Sequence, residues 1–212
     1  MRILGIVLVL ILSAIAGSAQ DVWQSVPTVA PGPHDHDLVG ATVDAIAKRG
    51  EKESRARVVV SVARKWGTAE IGVWIPELSE MISEQELRPY MGPDLGREAK
   101  NTHMIEIMLI SQRGKVQFNS RMVTLAGGNF PNGVASDVDL LFATNCKTDK
   151  RIIAFLDQMD SGFDHGVMKI GRGVFSPPIE VDFGGSGIHD HFKAVMLFVG
   201  TSKAKASTAR KQ

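Results

Sequence analysis

A single cysteine, Cys146, in a chain of 212 residues excludes an internal disulfide. Its neighbours Asn145 and Lys147 include no base that draws off a thiol proton, so Cys146 reads as a small buried apolar residue, with a bond to a second chain as its other use. Charge of one sign is equally scarce. Lys and Arg number 24 against 23 Asp and Glu, a formal net charge of +1, so no global field draws nucleic acid or an anionic membrane to the surface. Internal repeats are missing too. A chain of this length buries roughly 70% of its unfolded surface, enough for one sizeable core without disulfides or structural metal.

One long apolar run stands at the start. Met1 and Arg2 lead into an unbroken apolar stretch over residues 3–12, and Gly17, Ser18 and Ala19 follow with the small side chains a signal peptidase reads. This pattern predicts a signal peptide over residues 1–19, cleavage after Ala19 and export, to the periplasm or outside the cell. Left uncleaved, the same segment only just reaches the roughly 17 residues needed to cross a bilayer, and would tether the chain to a membrane. No cysteine lies beside the cleavage site, which argues against a lipoprotein anchor.

Residues 102–125 read as two strands about a tight turn, the expected centre of the fold. Ile105, Ile107 and Leu109 alternate with Met104, Met108 and Ile110, so both faces of the first arm are largely apolar and the strand is expected to be central. Gln112, Arg113, Gly114 and Lys115 supply a polar turn. On the return arm Val116, Phe118 and Met122 point inward while Lys115, Gln117, Asn119 and Arg121 face water. Such a hairpin needs further strands beside it.

Upstream, Pro27, Pro31, Gly32 and Pro33 predict an extended leader over residues 20–36. Asp37 then reads as a helix N-cap, with Leu38, Val39, Val43, Ile46 and Ala47 at helical spacing, Lys48 and Arg49 in the last turn and Gly50 just beyond. The β-branched run Val58, Val59, Val60 and Val62 predicts a strand, and Ile71, Val73 and Ile75 alternate as its partner across a turn at Trp66, Gly67 and Thr68. Leu78, Met81, Ile82 and Leu87 suit a surface helix, and Ser83 with Glu86 has capping-box spacing. Pro89, Gly92, Pro93 and Gly96 predict a loop.

Downstream come a glycine-rich turn over residues 127–133, a strand over 134–144, and a stretch at 149–159 whose period fits either a helix or a strand. Residues 179–183 alternate again, residues 188–199 predict a closing strand, and residues 201–212 form a flexible basic tail. Strands recurring every 8 to 12 residues or so predict a mainly β single domain over residues 37–200, an antiparallel β-sandwich with one or two short peripheral helices. The alternative is an α+β open sheet carrying helices at residues 38–48 and 149–159.

Two His-Asp-His runs stand near the two ends of the chain, at residues 34–36 and 189–191. On a strand His189 and His191 share a face and can offer two imidazoles to zinc or copper, with His34 and His36 completing the shell if the termini meet. As surface residues of a leader and a wet face, the same histidines need no ligand. Asp160, Ser161, Asp164 and His165 bring the ingredients of nucleophilic catalysis into one loop, but turn chemistry accounts for them equally well. Gly184, Gly185 and Gly187 lack the lysine and following helix of a phosphate loop. Lys203, Lys205, Arg210 and Lys211 give nucleic acid a basic tail, without the interleaved aromatics that stack on bases. The sequence therefore points to an exported, non-catalytic binding or structural-interaction domain for a protein or small-molecule ligand. A transition-metal protein using the paired histidines is the first alternative, and a nucleic-acid binder using the tail the second.

Overall fold

The computed structural model describes residues 22–26, 38–63, 67–75, 78–87, 104–126, 140–144, 150–171 and 175–208. The expected signal segment, His34, His36, Cys146, the expected loop around residues 89–96, the expected glycine-rich turn and the first part of the strand expected from residue 134 lie outside them.

The chain is mainly β. Strands β1 (Gln24–Val26), β2 (Leu38–Arg49), β3 (Lys52–Ala63) and β4 (Thr68–Ile75) precede two single-turn helices, α1 (Leu78–Met81) and α2 (Glu84–Leu87). Strands β5 (Met104–Ser111), β6 (Gly114–Ala126) and β7 (Leu140–Thr144) then lead to helix α3 (Lys150–Asp160). Strands β8 (His165–Ile170) and β9 (Ile179–Gly184) are followed by α4 (Ile188–His191) and α5 (Lys193–Thr208).

All pairings are antiparallel, in the order β1-β2-β3-β4-β7-β6-β5-β8-β9. The order returns on itself: Ile46, Ala47 and Lys48 of β2 pair with Asp182, Val181 and Glu180 of β9. The expected sandwich is thus realised as one curled sheet whose ends meet, a solution that leaves fewer bare edges than two facing sheets. β1 takes the rest of that side of β2, pairing Gln24, Ser25 and Val26 with Thr42, Ala41 and Gly40.

Strand β2 corrects the helix expected at residues 38–48. Val39, Ala41, Val43, Ala45 and Ala47 are all buried on one face, a period of two that overrides the helical spacing of Leu38, Val39, Val43, Ile46 and Ala47. Gly50, expected as a helix cap, sits at φ 61° in the turn between β2 and β3, so one left-handed glycine serves either ending. Gly40 lets the two strands approach, because a Cβ there would collide with the carbonyl oxygen of Val60.

The central hairpin matches its sequence pattern. Ser111 pairs with Gly114 across the turn, Ile105, Ile107 and Leu109 are buried, and β5 lies between β6 and β8. The hairpin of β3 and β4 also forms, with Gly67 at φ 63°.

The closing strand expected at residues 188–199 is helical instead. Ile188, Phe192, Val195, Phe198 and Val199 are buried at helical spacing, and the helix runs on to Thr208 through the first part of the expected tail. The ambiguous stretch is also a helix, α3, burying Ile152, Phe155, Leu156 and Met159. These helices cover the apolar face of the sheet, where α5 lies against β2 and β3. The leader is fastened as well. Trp23 is fully buried, donates from Nε1 to the Gly184 carbonyl at 2.9 Å, and meets Phe183 and Phe192 edge-on with centroids 6.4 and 6.0 Å away.

Candidate functional site

Strand β6 is paired differently along its two halves. Residues 122–126 have β7 on one side, but β7 ends at Thr144, and residues 114–121 pair with β5 alone among the described residues. Helix α3 occupies the space beside that half. Its inner stripe enters the core, and the Phe155 ring stacks on Phe118 with centroids 5.1 Å apart and planes at 26°. Its outer stripe, Arg151, Ala154 and Gln158, recurs at helical spacing and faces the edge of β6.

Between helix and strand runs a hollow of about 330 Å³, floored by Phe118, Phe155 and Val116 and rimmed by Gln117, Asn119, Arg151 and Gln158. A second hollow of about 500 Å³ shares Val116 and Gln158 with the first. It continues past the turn of the β5–β6 hairpin to residues 161–164. The first is a groove with an apolar floor, a polar rim and β6 along one wall, the composition of a binding cleft. The sequence predicts the β6 wall but leaves residues 149–159 open between helix and strand, so the meeting of the two is not legible in it.

The loop of residues 160–166 does turn chemistry. Ser161 donates to the Asp157 carbonyl at 2.9 Å, the Gly162 amide bonds Met159 O at 3.1 Å with φ at 90°, and the Asp164 amide reaches Ile110 O at 2.9 Å. His165 lies instead beside Asp182 of β9, at 3.5 Å. The glycines at 184–187 serve packing. Trp23 bonds the Gly184 and Ser186 carbonyls, and a Cβ on Gly185 would collide with the Phe163 carbonyl.

His189 and His191 lie on α4, where residues two apart point to different sides, so the strand geometry that would have paired them is absent. His189 Nδ1 is 3.2 Å from Asp160 of α3, and His191 Nδ1 is 3.1 Å from Ser25 Oγ of β1. Among the described residues no three His, Cys, Asp or Glu side chains gather as a metal centre. Lys203 of the basic tail reaches Asp157 at 2.9 Å, joining α5 to α3.

A second polar cluster holds the far end of the sheet together. Arg49 makes a two-pronged ion pair with Glu86 at 2.5 and 3.1 Å, donates to the Met81 and Pro177 carbonyls at 2.9 Å each, and lies over the Phe175 ring. The Arg49 hydrogen bond, aided by bonds from Ser83, lowers the Glu86 carboxyl from 4.5 to about 2 against the opposing effect of burial. Ser83 and Glu86 make the reciprocal bonds of the expected capping box, at 2.9 to 3.3 Å. Arg49 as the third member carries no short-range sequence signal, because it sits 37 residues from Glu86.

Comparison of the chain with protein-family models, with curated proteins and with solved structures found no match.

Proposed function

We propose that the chain is an exported, non-catalytic binding domain that takes a protein or small-molecule ligand in the groove between β6 and α3. The observation that carries this reading is the groove itself: the stacked Phe118 and Phe155 floor it, amide side chains rim it, and β6 forms one wall. Apolar floor supplies affinity, and the few polar groups around it supply orientation. The export half rests on the basic, apolar and small-residue order of residues 1–19, and cleavage after Ala19 leaves Trp23 in the mature chain to fill its place in the core.

The test uses mature protein starting at Gln20, screened by thermal shift against small molecules and peptides, with cell fractionation and N-terminal sequencing of the native product. A ligand at a hundredfold excess over its Kd raises stability by about 2.7 kcal/mol. That rise should shrink in Ala154→Trp, where an exposed helix position fills the groove. Robust turnover abolished by one point mutation, or a native product that stays uncleaved in the cytosol, contradicts the reading.

A further inference from the structure

We infer that the occupant of the groove is a small amphipathic anion, a medium-chain carboxylate whose tail lies over Phe118 and Phe155 and whose head reaches Arg113 and Lys115. This rests on the groove being the binding site, and it names the class of ligand. The two hollows adjoin but differ in character. The first, of about 330 Å³, is floored by Phe118, Phe155 and Val116. The second, of about 500 Å³, is lined mainly by polar residues, among them Ser111, Arg113, Lys115, Ser161 and Asp164. Val116 and Gln158 line both, so the apolar surface leads directly into the polar one. Each volume lies in the range of about 300–1,000 Å³ that small ligands occupy. A wholly apolar ligand leaves the second hollow unmatched, and a wholly polar one gains nothing from the floor of the first. A molecule with one end of each kind matches both.

Charge sets the sign of the head. Arg113 and Lys115 stand in the second hollow with one carboxylate, Asp164, which leaves that lining one positive charge in excess and suits a single negative head. Arg151, on the rim of the first hollow, already has a partner and adds nothing to that excess. Because Arg113 and Lys115 are exposed, water screens them and the selectivity they confer is moderate. Strand geometry sets the length of the tail. From Lys115 to Phe118 is about 10 Å of β6 at about 3.4 Å per residue, close to the reach of an extended octanoate.

The experiment titrates the mature protein with octanoate in a calorimeter, below the micelle concentration. Octanol shares the tail without the charge, octyltrimethylammonium reverses the charge, and acetate keeps the head without the tail. Octanoate should bind at least about tenfold more tightly than each of the three. Lys115→Gln should weaken octanoate by about threefold and Asp164→Asn tighten it by about as much, while neither alters octanol. Ala154→Trp should abolish octanoate binding. Octanol bound as tightly as octanoate, and lost in Ala154→Trp, overturns the charge assignment and leaves the groove reading standing. Acetate bound as tightly as octanoate overturns the role given to the apolar floor. Octanoate bound equally by wild type and Ala154→Trp overturns the groove reading itself. No binding of octanoate overturns the inference, and the groove reading survives that result where other compounds found by thermal shift lose their effect in Ala154→Trp.

Discussion

Trp23 offers a sharp test of how the curled sheet is held shut. The residue lies before β1, in a stretch that composition marks as a leader, yet it is fully buried against Phe183 of β9 and Phe192 at the start of α5. Replacing it by Ala removes a large buried ring, which costs about 3–5 kcal/mol in cores of ordinary packing. It also strips the Gly184 carbonyl of its indole donor, a further cost of about 1 kcal/mol. Trp23→Phe keeps most of the apolar contact and loses the hydrogen bond, so about 1–2 kcal/mol is expected. Val22, next to it and 44% exposed, is the control, and Val22→Ala should change stability by less than about 0.5 kcal/mol. Since domains of this kind are stable by about 5–15 kcal/mol, Trp23→Ala should move the urea midpoint far while the slope stays constant. Far-ultraviolet circular dichroism follows the transition without relying on tryptophan emission. A Trp23→Ala protein within about 1 kcal/mol of wild type refutes the reasoning, and would mean that the leader is not part of the core.

Three further outcomes follow from particular contacts. Glu86 has its carboxyl lowered from 4.5 to about 2, so the stability it contributes is complete above pH 4.5 and fades as pH falls toward 2. Because the Glu86 side chain is 38% exposed, solvent screening reduces that contribution to about 1 kcal/mol. The melting curves of wild type and Glu86→Gln should therefore differ near neutrality and converge on acidification, and a gap that stays constant with pH contradicts the ion-pair account. In Gly166→Ala the new methyl group meets the Phe183 ring, and chemical denaturation should show a loss of about 1–3 kcal/mol. An unchanged midpoint would show that the ring shifts freely. The partners of His189 and His191 lie on different elements, so the two imidazoles act separately. Replacing both by Ala should leave any zinc-dependent rise in melting temperature unaltered, and abolition of such a rise would restore them as joint ligands.

Where side chains alternate strongly, local pattern carried the fold. The β5–β6 hairpin is legible because Ile105, Ile107 and Leu109 leave no competing period, and Gly114 marks the turn. β2 is ambiguous in sequence because its core face mixes valine with alanine, which packs well in either element. Gly50 with Lys48 and Arg49 imitates a helix end while in fact closing a hairpin. The helices after residue 187 are obscured for the opposite reason. Val195, Met196, Leu197, Phe198 and Val199 run together as a strand does, and only the spacing of Ile188, Phe192 and Val195 betrays the helix. The groove was beyond local pattern. Its walls are β6 and α3, and nothing within either segment specifies that they meet along residues 116–119. The joint use of His189 and His191 depends on strand geometry that helix α4 does not provide.

Amide hydrogen exchange with and without bound ligand bears most directly on the groove as the binding site. Ligand identified by thermal shift should slow exchange in residues 114–121 of β6 and along the exposed side of α3, leaving the β2–β3 hairpin unchanged. Protection confined to β2, β3 or α5, with β6 and α3 exchanging as in the free protein, would place the ligand elsewhere and contradict the account.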